Sequence, residues 1–306
     1  MADLVAIGNA LVDRVHRVTT LPPPDGGAAI LASDRVPGGV EGNVAAAAAA
    51  LGLGVAVIAH VGDDADGQLV LDDLVARGID TSAVRRGPAG ETATSLVFVD
   101  PDGRRVIFTG GRGVAALSLT DADRERLAAA RACVTSTYVP PTLLAEVLEA
   151  CARGETPVSV DLAGTFDDLA PRGLTRERLL ELLPGIGLLV LGREPLRDLT
   201  GCHDVDAAID ELRRHTAGRI AVTAGADGLV LDGDDRRVRV PAQPVEVVDT
   251  RGAGDATHAA LVATWVLGGA TPERAGAAAA AAGAHATRGE GARGALPGPE
   301  VLRAGR

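Results

Sequence analysis

The chain contains no lysine: every one of its 30 basic residues is arginine. That absence removes a P-loop lysine, a protein-kinase strand lysine and a Schiff-base lysine together, and leaves glycine-led phosphate binding standing. Aromatic residues are nearly as scarce, with Phe98, Phe108, Tyr138, Phe166 and Trp265 the whole complement. Five rings spread over this length do not make a stacking surface for nucleic acid. The net charge of −11 points the same way, because a nucleic-acid backbone needs a positive face, so no nucleic-acid partner is expected. Cys133, Cys151 and Cys202 are odd in number and include no Cys-x-x-Cys, which fits inert thiols in a reducing compartment better than a disulfide framework. The histidines His16, His60, His203, His215, His258 and His285 show no metal-ligand spacing. No apolar run reaches the length of a membrane span, and Met1-Ala2-Asp3-Leu4 does not read as a leader, so a cytoplasmic protein with no membrane partner is expected.

What the chain does have is alternation. Its 306 residues suffice for one large core, or one core plus a small appendage. Leu4 to Gly8 reads as a short apolar strand ending in Gly8-Asn9-Ala10-Leu11-Val12-Asp13, and a glycine at a strand end opens the edge where ligands gather in an α/β sheet. Asp13 is there either a turn residue or an acceptor for a substrate hydroxyl. Val55 begins strand, then Gly62-Asp63-Asp64-Ala65-Asp66-Gly67, then an amphipathic helix to Arg77. The acidic cluster lacks the spacing and distal Glu of a calcium loop and reads as a capped turn. From Ala115 onward helices (115–130, 141–153, 174–183, 206–215) alternate with strands (132–136, 158–162, 187–191, 219–223, 228–231), and a final Ala-rich helix spans 275–286. The rhythm predicts an α/β fold: a doubly wound, mostly parallel sheet with helices on both faces, in a single domain over 1–306. Two segments fall outside it. About 14–37 reads as two strands around Pro22-Pro23-Pro24-Asp25-Gly26-Gly27, and about 90–110 as a hairpin around Asp100-Pro101-Asp102-Gly103, which together could form a small separate sheet.

The densest chemistry lies in Val247-Val248-Asp249-Thr250-Arg251-Gly252-Ala253-Gly254-Asp255-Ala256. A strand-like run, 244–248, leads into a Gly-Ala-Gly turn, and an Ala-rich helix follows to Leu267. Unpaired amides and the positive end of the macrodipole favour an anion at such a helix start. Asp255 would stand beside that anion, where like charges repel. A carboxylate so placed makes sense if it accepts the proton of a hydroxyl that attacks phosphorus; the plain alternative is a helix N-terminal carboxylate beside an ordinary turn. Upstream, Pro37-Gly38-Gly39-Val40-Glu41-Gly42-Asn43 runs into an Ala-rich helix, with Asn43 either in its first turn or capping it.

Asp-Thr-x-Gly-Ala-Gly-Asp at 249–255 resembles the C-terminal signature of the ribokinase (PfkB-type) family of carbohydrate kinases, and Gly-Gly-x-x-x-Asn-x-Ala from Gly38 resembles its N-terminal one. The resemblance spans essentially the whole chain and implies a ribokinase-like fold in which the small sheet is a lid over the sugar and a possible homodimer contact. It implies ATP as donor and Mg2+ bridging its phosphates. Asp255 would be the base, with the amides of Gly252, Ala253 and Gly254 stabilising the phosphoryl group, and Asp13, Gly38, Gly39 and Asn43 would hold the hydroxyls of a small sugar or polyol. Thr223, Gly225 and Gly228, matching Thr-x-Gly-x-x-Gly, would line the nucleotide, although a Gly-x-x-Gly between strands also serves any tight hairpin. Asp249 and Thr250 stand where such kinases often place a monovalent cation such as K+.

Two departures stand out. Gly192-Arg193-Glu194-Pro195 occupies the place of the family's Asn-x-x-Glu, so Glu194 would have to substitute from one position away, or Arg193 contact phosphate directly. Thr257 replaces an aromatic, read as a packing change next to Trp265. The rival readings are a nucleoside kinase of the same fold, a catalytically weakened homologue that binds a metabolite or nucleotide, and a structural α/β dimer. The last leaves both glycine turns unexplained.

Overall fold

A computed structural model describes residues 2–303. In chain order it contains β1 (Leu4–Ile7), β2 (Leu11–Val18), β3 (Ile30–Gly38), α1 (Val40–Ala50), β4 (Val55–Gly62), α2 (Ala65–Ala76), β5 (Asp80–Gly87), β6 (Thr94–Val99) and β7 (Arg105–Gly110). The second half holds α3 (Asp121–Ala129), β8 (Ala132–Ser136), α4 (Pro141–Ala152), β9 (Val158–Leu162), α5 (Phe166–Leu169), α6 (Arg176–Leu182), β10 (Leu188–Gly192), α7 (Arg193–Thr200) and α8 (Val205–Leu212). It closes with β11 (Arg219–Thr223), β12 (Leu229–Gly233), β13 (Arg236–Val240), α9 (Ala253–Leu261), a π turn over Val262–Val266, and α10 (Pro272–Ala286).

Nine strands form one sheet in the order β13-β12-β11-β10-β9-β8-β1-β4-β5, parallel except where β12 and β13 fold back as hairpins. Because side chains alternate along a strand, Leu4 and Ala6 of β1 enter one core with α1, α2, α9 and α10. Val5 and Ile7 enter the other, with α3, α4 and α6 to α8. The chain leaves β1 toward β4 on one side and β8 on the other, a switch point that opens a crevice at the carboxyl ends of the strands. A second sheet, β3-β2-β6-β7, stands outside the first and realises the lid, with β2 and β6 parallel and the two outer pairs antiparallel.

The run 244–248 is not a strand. Pro241 and Pro244 lack the N–H a ladder needs, and Val248 and Asp249 instead donate to the Thr287 carbonyl at 2.8 and 3.1 Å, holding the segment against the end of α10. The capping reading of Asn43 also falls: α1 begins at Val40 with Gly39 as its cap, which places Asn43 in the first turn. The capped-turn reading of the acidic cluster holds, since Asp64 caps α2 by accepting from the Gly67 amide at 2.8 Å. β5 and β13, edge strands rich in polar residues, carried no clear periodic signal, whereas α7 was passed over although Leu196, Leu199 and Thr200 share one buried face, Pro195 in its first turn masking it.

Candidate active site

Two helix starts meet at the crevice. α1 starts at Gly39, whose φ of 91° and close approach to Asn9 (a Cβ would lie 2.5 Å from its carbonyl oxygen) admit glycine alone. α9 starts at Gly252, with φ 77° and the backbone of Ala292 filling the space a Cβ would need. Between them Asn43 donates from Nδ2 to Oδ2 of Asp255 at 2.9 Å. Residues 212 apart in sequence thus share one site.

Asp255 is enclosed by protein while part of its surface stays open. Burial pushes its pKa up to about 6; the Asn43 bond and the Arg293 guanidinium pull it down, and the Asp13 carboxylate pushes it up. Such a group is largely ionised at neutral pH and close enough to it to exchange protons efficiently. Asp13, on β2, is also raised by burial, and it accepts from the Ser95 hydroxyl at 2.5 Å. Gly38 lies directly against that carboxylate, where a side chain would collide with it. Asp13, Gly38, Gly39, Asn43 and Asp255 thus lie together where the lid strand β2 meets the starts of α1 and α9.

On the other side of the α9 start lies a cavity of about 580 Å³ lined by Thr223, Gly225, Gly228, Thr250, Ala253, Gly254 and Thr257, with apolar walls from Leu229, Val245, Val247 and Ala280. No side chain caps α9, and a Cβ at Gly254 would point into open space. The donor set and the glycine-lined wall fit a nucleotide with its phosphates at the amides. The wall offers magnesium no carboxylate, so the ion would have to be held through the phosphates themselves. A second groove, about 820 Å³, lies at the opposite end of β11 among Arg213, Asp232 and Arg237, whose charges satisfy one another.

Two expectations change. Glu194 is exposed in the first turn of α7 and does not line the cavity, and Arg193 is ion-paired with Asp227 at 2.6 Å, fastening α7 to the turn after β11. Thr257 packs against α10, where a Cβ on Gly283 would lie 2.5 Å from its hydroxyl, while Trp265 donates to Asp234 at 2.7 Å. Asp249, expected beside Thr250 at a cation, accepts at Oδ2 from Arg251 Nε at 2.8 Å and Nη2 at 2.6 Å and from the Gly291 amide at 2.9 Å, and at Oδ1 from the Arg251 amide at 2.9 Å, while Thr250 accepts from Arg105 of the lid at 3.4 Å. Oδ1 thus keeps room for a further partner.

Sequence reasoning passed over an acidic layer beneath the site. Glu41 is fully buried, accepts from the Asn9 amide at 2.8 Å, and is pushed up to about 7 by burial. Asp161, at the end of β9, is raised well above the carboxylate range by burial and by the charges of Asp255 and Glu41. His258 is fully buried beside it, 2.6 Å from the Ser159 hydroxyl, and burial lowers its pKa to about 3, so it is neutral. Single carboxylates on strand ends and helix starts leave no periodic trace; only the unusual Glu in a Gly-x-Glu-Gly turn could have marked Glu41.

Comparison with known proteins agrees with this geometry. A model of the pfkB family carbohydrate kinases matches residues 1–298. An ATP-dependent ribose-1-phosphate kinase of Halopiger xanaduensis is 33% identical over 295 residues, covering 96% of this chain and 94% of that protein. A nucleoside kinase of Methanothermobacter thermautotrophicus is 25% identical, covering 87% of this chain and 83% of that one. The structure of Arabidopsis thaliana ribokinase complexed with ribose and ATP superposes with a TM-score of 0.85 at 23% identity, covering 99% of this chain and 97% of the other, and so shares the fold. Among the described residues no helix is long and apolar enough to cross a membrane. With both glycine turns meeting at one carboxylate and the family model spanning nearly its whole length, this chain belongs to the pfkB family of carbohydrate kinases.

Proposed function

We propose that the protein transfers the γ-phosphate of ATP to a hydroxyl of a small sugar, polyol or sugar phosphate, with Asp255 as the base. The observation that carries this reading is the Asp255 carboxylate, raised to about 6, held by Asn43 near Asp13 and next in the chain to Gly254 of the glycine-lined cavity. The acceptor hydroxyl gives its proton to Asp255 as its oxygen bonds to the γ-phosphorus; the bond to the bridging oxygen breaks and ADP leaves with the electron pair. Amides of Gly252, Ala253 and Gly254 receive charge on the phosphoryl group, each well-placed donor typically contributing about 3 to 4 kcal/mol. Asp13 and Asn43 hold acceptor hydroxyls against the backbone of Gly38 and Gly39, and Thr223, Gly225 and Gly228 form the nucleotide wall. Magnesium, held through the phosphates since the cavity wall has no carboxylate, would supply charge neutralisation there.

The Halopiger relative, named for ribose 1-phosphate, puts pentoses and pentose phosphates first on the acceptor panel. A nucleoside acceptor is the second reading, supported by the relative named a nucleoside kinase; the aromatic group of the lid, His16 stacked on Phe98 at 5.0 Å and Phe98 edge-on to Phe108 at 6.2 Å, lies on the face opposite Asp13 and Ser95 and does not bear on it. The exposed lid residues Ile30, Leu31, Val106, Ile107 and Phe108 support a homodimer through that sheet. Sedimentation of the wild type and of Phe108→Asp tests this: a dimer that the variant splits supports it, a monomeric wild type overturns it.

The function is tested by ADP release from MgATP, with and without KCl, against ribose, ribose 1-phosphate, fructose, inositol and nucleosides, beside Asp255→Asn. Turnover on one acceptor class that falls about 10²- to 10⁴-fold in the variant is expected. ATP binding without turnover on any acceptor would instead support a metabolite- or nucleotide-binding homologue, with Gly192 and Pro195 as the change to explain.

A further inference from the structure

A buried cation lies behind the base. Arg293, in the irregular segment after α10, has a side chain only 5% exposed. Its Nε donates to Oδ1 of Asn43 at 2.9 Å, its Nη2 donates to the Gly38 carbonyl at 3.0 Å, and its Nη1 pairs with Asp73 of α2. Gly42 leaves room for it, since a Cβ there would lie 2.6 Å from Nη2. A carboxamide has its acceptor on one side and its donors on the other. With Oδ1 committed to Arg293, Nδ2 of Asn43 must face the opposite way, where it meets Asp255 at 2.9 Å. Turning the amide over would set N–H against N–H at Arg293 and oxygen against oxygen at Asp255.

We propose that Arg293 is a positioning residue for phosphoryl transfer: through Asn43 it fixes the direction and the ionisation of Asp255, and through the Gly38 carbonyl it fixes the floor of the acceptor pocket. The proposal rests on Asp255 being the base. The groups facing Asp255 are Asn43 and Glu41 from α1, Asp13 from β2, Asp161 from β9, and Arg293; His258, one turn further along α9, is neutral. Asp13 disfavours the ionised form, the charge of Asp255 in turn raises Glu41 and Asp161, and Arg293 is the cation that favours ionised Asp255. Asp73 holds Arg293 from behind and also accepts both Nε and Nη2 of Arg77, so the counter-charge to Arg293 sits on the side away from the base.

A purely structural arginine and a positioning one make different forecasts. If Arg293 only fastens the C-terminal segment, removing it and removing Asp73 weaken the same tie and act alike. If it tunes the base, they act in opposite directions. Arg293→Met strips the opposing charge and frees the Asn43 amide, so the Asp255 pKa rises. Asp73→Asn keeps an acceptor but leaves Arg293 uncompensated, so it falls.

The experiment is the pH profile of kcat/KM, with MgATP and the best acceptor of the panel above, for wild type, Arg293→Met, Arg293→Lys, Asp73→Asn and Asp255→Asn. Arg293→Met is expected to lose about 10- to 100-fold, the scale of a misplaced reacting group, with its acid limb moved up by about one pH unit. Arg293→Lys restores part of the limb shift, because its charge remains, but raises KM for the acceptor, because one ammonium cannot span Asn43, Gly38 and Asp73. In Asp73→Asn the limb moves down. An unmoved limb in Arg293→Met, or a shift of the same sign in both variants, overturns the proposal while active wild type and dead Asp255→Asn leave the kinase reading intact. Wild type without turnover removes that reading and this inference together. If Arg293→Met fails to fold, the sign of the Asp73→Asn shift decides alone.

Discussion

Helices α1 and α9 both start at a glycine with positive φ, Gly39 at 91° and Gly252 at 77°, and neither has a side-chain cap. Their first turns are in opposite condition. In α1 the protein itself uses the polar groups: the Gly42 amide donates to the Asn9 carbonyl at 3.0 Å, Glu41 accepts from the Asn9 amide, and Asn43 is held between Arg293 and Asp255. In α9, Gly254 is exposed, nothing occupies the space where its side chain would be, and the turn borders the glycine-lined cavity. On the proposed function, the same device serves as scaffold at one helix and as ligand cradle at the other. What decides between them is whether neighbouring backbone reaches the free amides first. Asn9 does so at α1, taking the Gly42 amide at 3.0 Å; before α9 only Thr250 reaches in, accepting from Ala253 at a long 3.4 Å, while Val248 and Asp249 are held to Thr287.

The contrast can be broken from the α9 side first. Gly254→Val fills the open space with a branched side chain, and because the turn touches nothing else there, the fold should survive. The expected result is a loss of about 10²- to 10³-fold in kcat/KM for ATP, comparable to losing a donor to the transition state, with an unchanged melting temperature. An equal loss of stability would mean that the turn is packed like that of α1.

From the α1 side the order of effects reverses. Gly39→Ala places a Cβ 2.5 Å from the Asn9 carbonyl at a φ that side chains avoid, so thermal unfolding should show a loss of about 1 to 3 kcal/mol. Activity at saturating acceptor should fall less than in Gly254→Val. A nucleotide KM that rises as steeply as in the α9 variant would refute the division of labour.

Protonation sharpens the comparison further. With its pKa raised to about 6, Asp255 is ionised at neutral pH and protonated below. The rate should therefore fall as pH drops through about 6 and level off above it, an acid limb that Asp255→Asn abolishes together with the activity. A limb near the ordinary carboxylate range would indicate that the base is solvated in the free enzyme.

Much of this was legible in the chain. Both glycine turns, Asn43, Asp13 and Asp255 stand in motifs whose spacing reflects backbone geometry, and geometry of that kind leaves a local mark. The βαβ rhythm survives because parallel strands buried on both faces, such as Leu188–Gly192, must be continuously apolar. Arg293, Glu41 and Asp161 left no such mark. They matter through contacts that the fold makes over long separations, as Arg293 does with Asn43 across 250 positions. The arginine on Asp249 was missed for a related reason: a motif specifies where a side chain sits, while the residue at its variable position, here Arg251, specifies what it is bound to.

A last test probes the dryness of the α1 turn directly. Glu41 has no hydrogen-bond partner at Oε1 and its pKa is raised from the 4.5 of an ordinary glutamate to about 7. A carboxyl whose pKa is higher in the folded state binds its proton more tightly there. Its contribution to stability is thus full below about pH 4.5 and lost as pH rises through about 7. Glu41→Gln keeps an acceptor for the Asn9 amide but cannot ionise, so the variant escapes that loss. Relative to wild type it should gain about 3 kcal/mol between pH 4.5 and pH 8, read from paired denaturant melts. A difference that stays flat across that window would mean that water already reaches Glu41. The two helix starts would then differ in their partners alone, not in the medium that surrounds them.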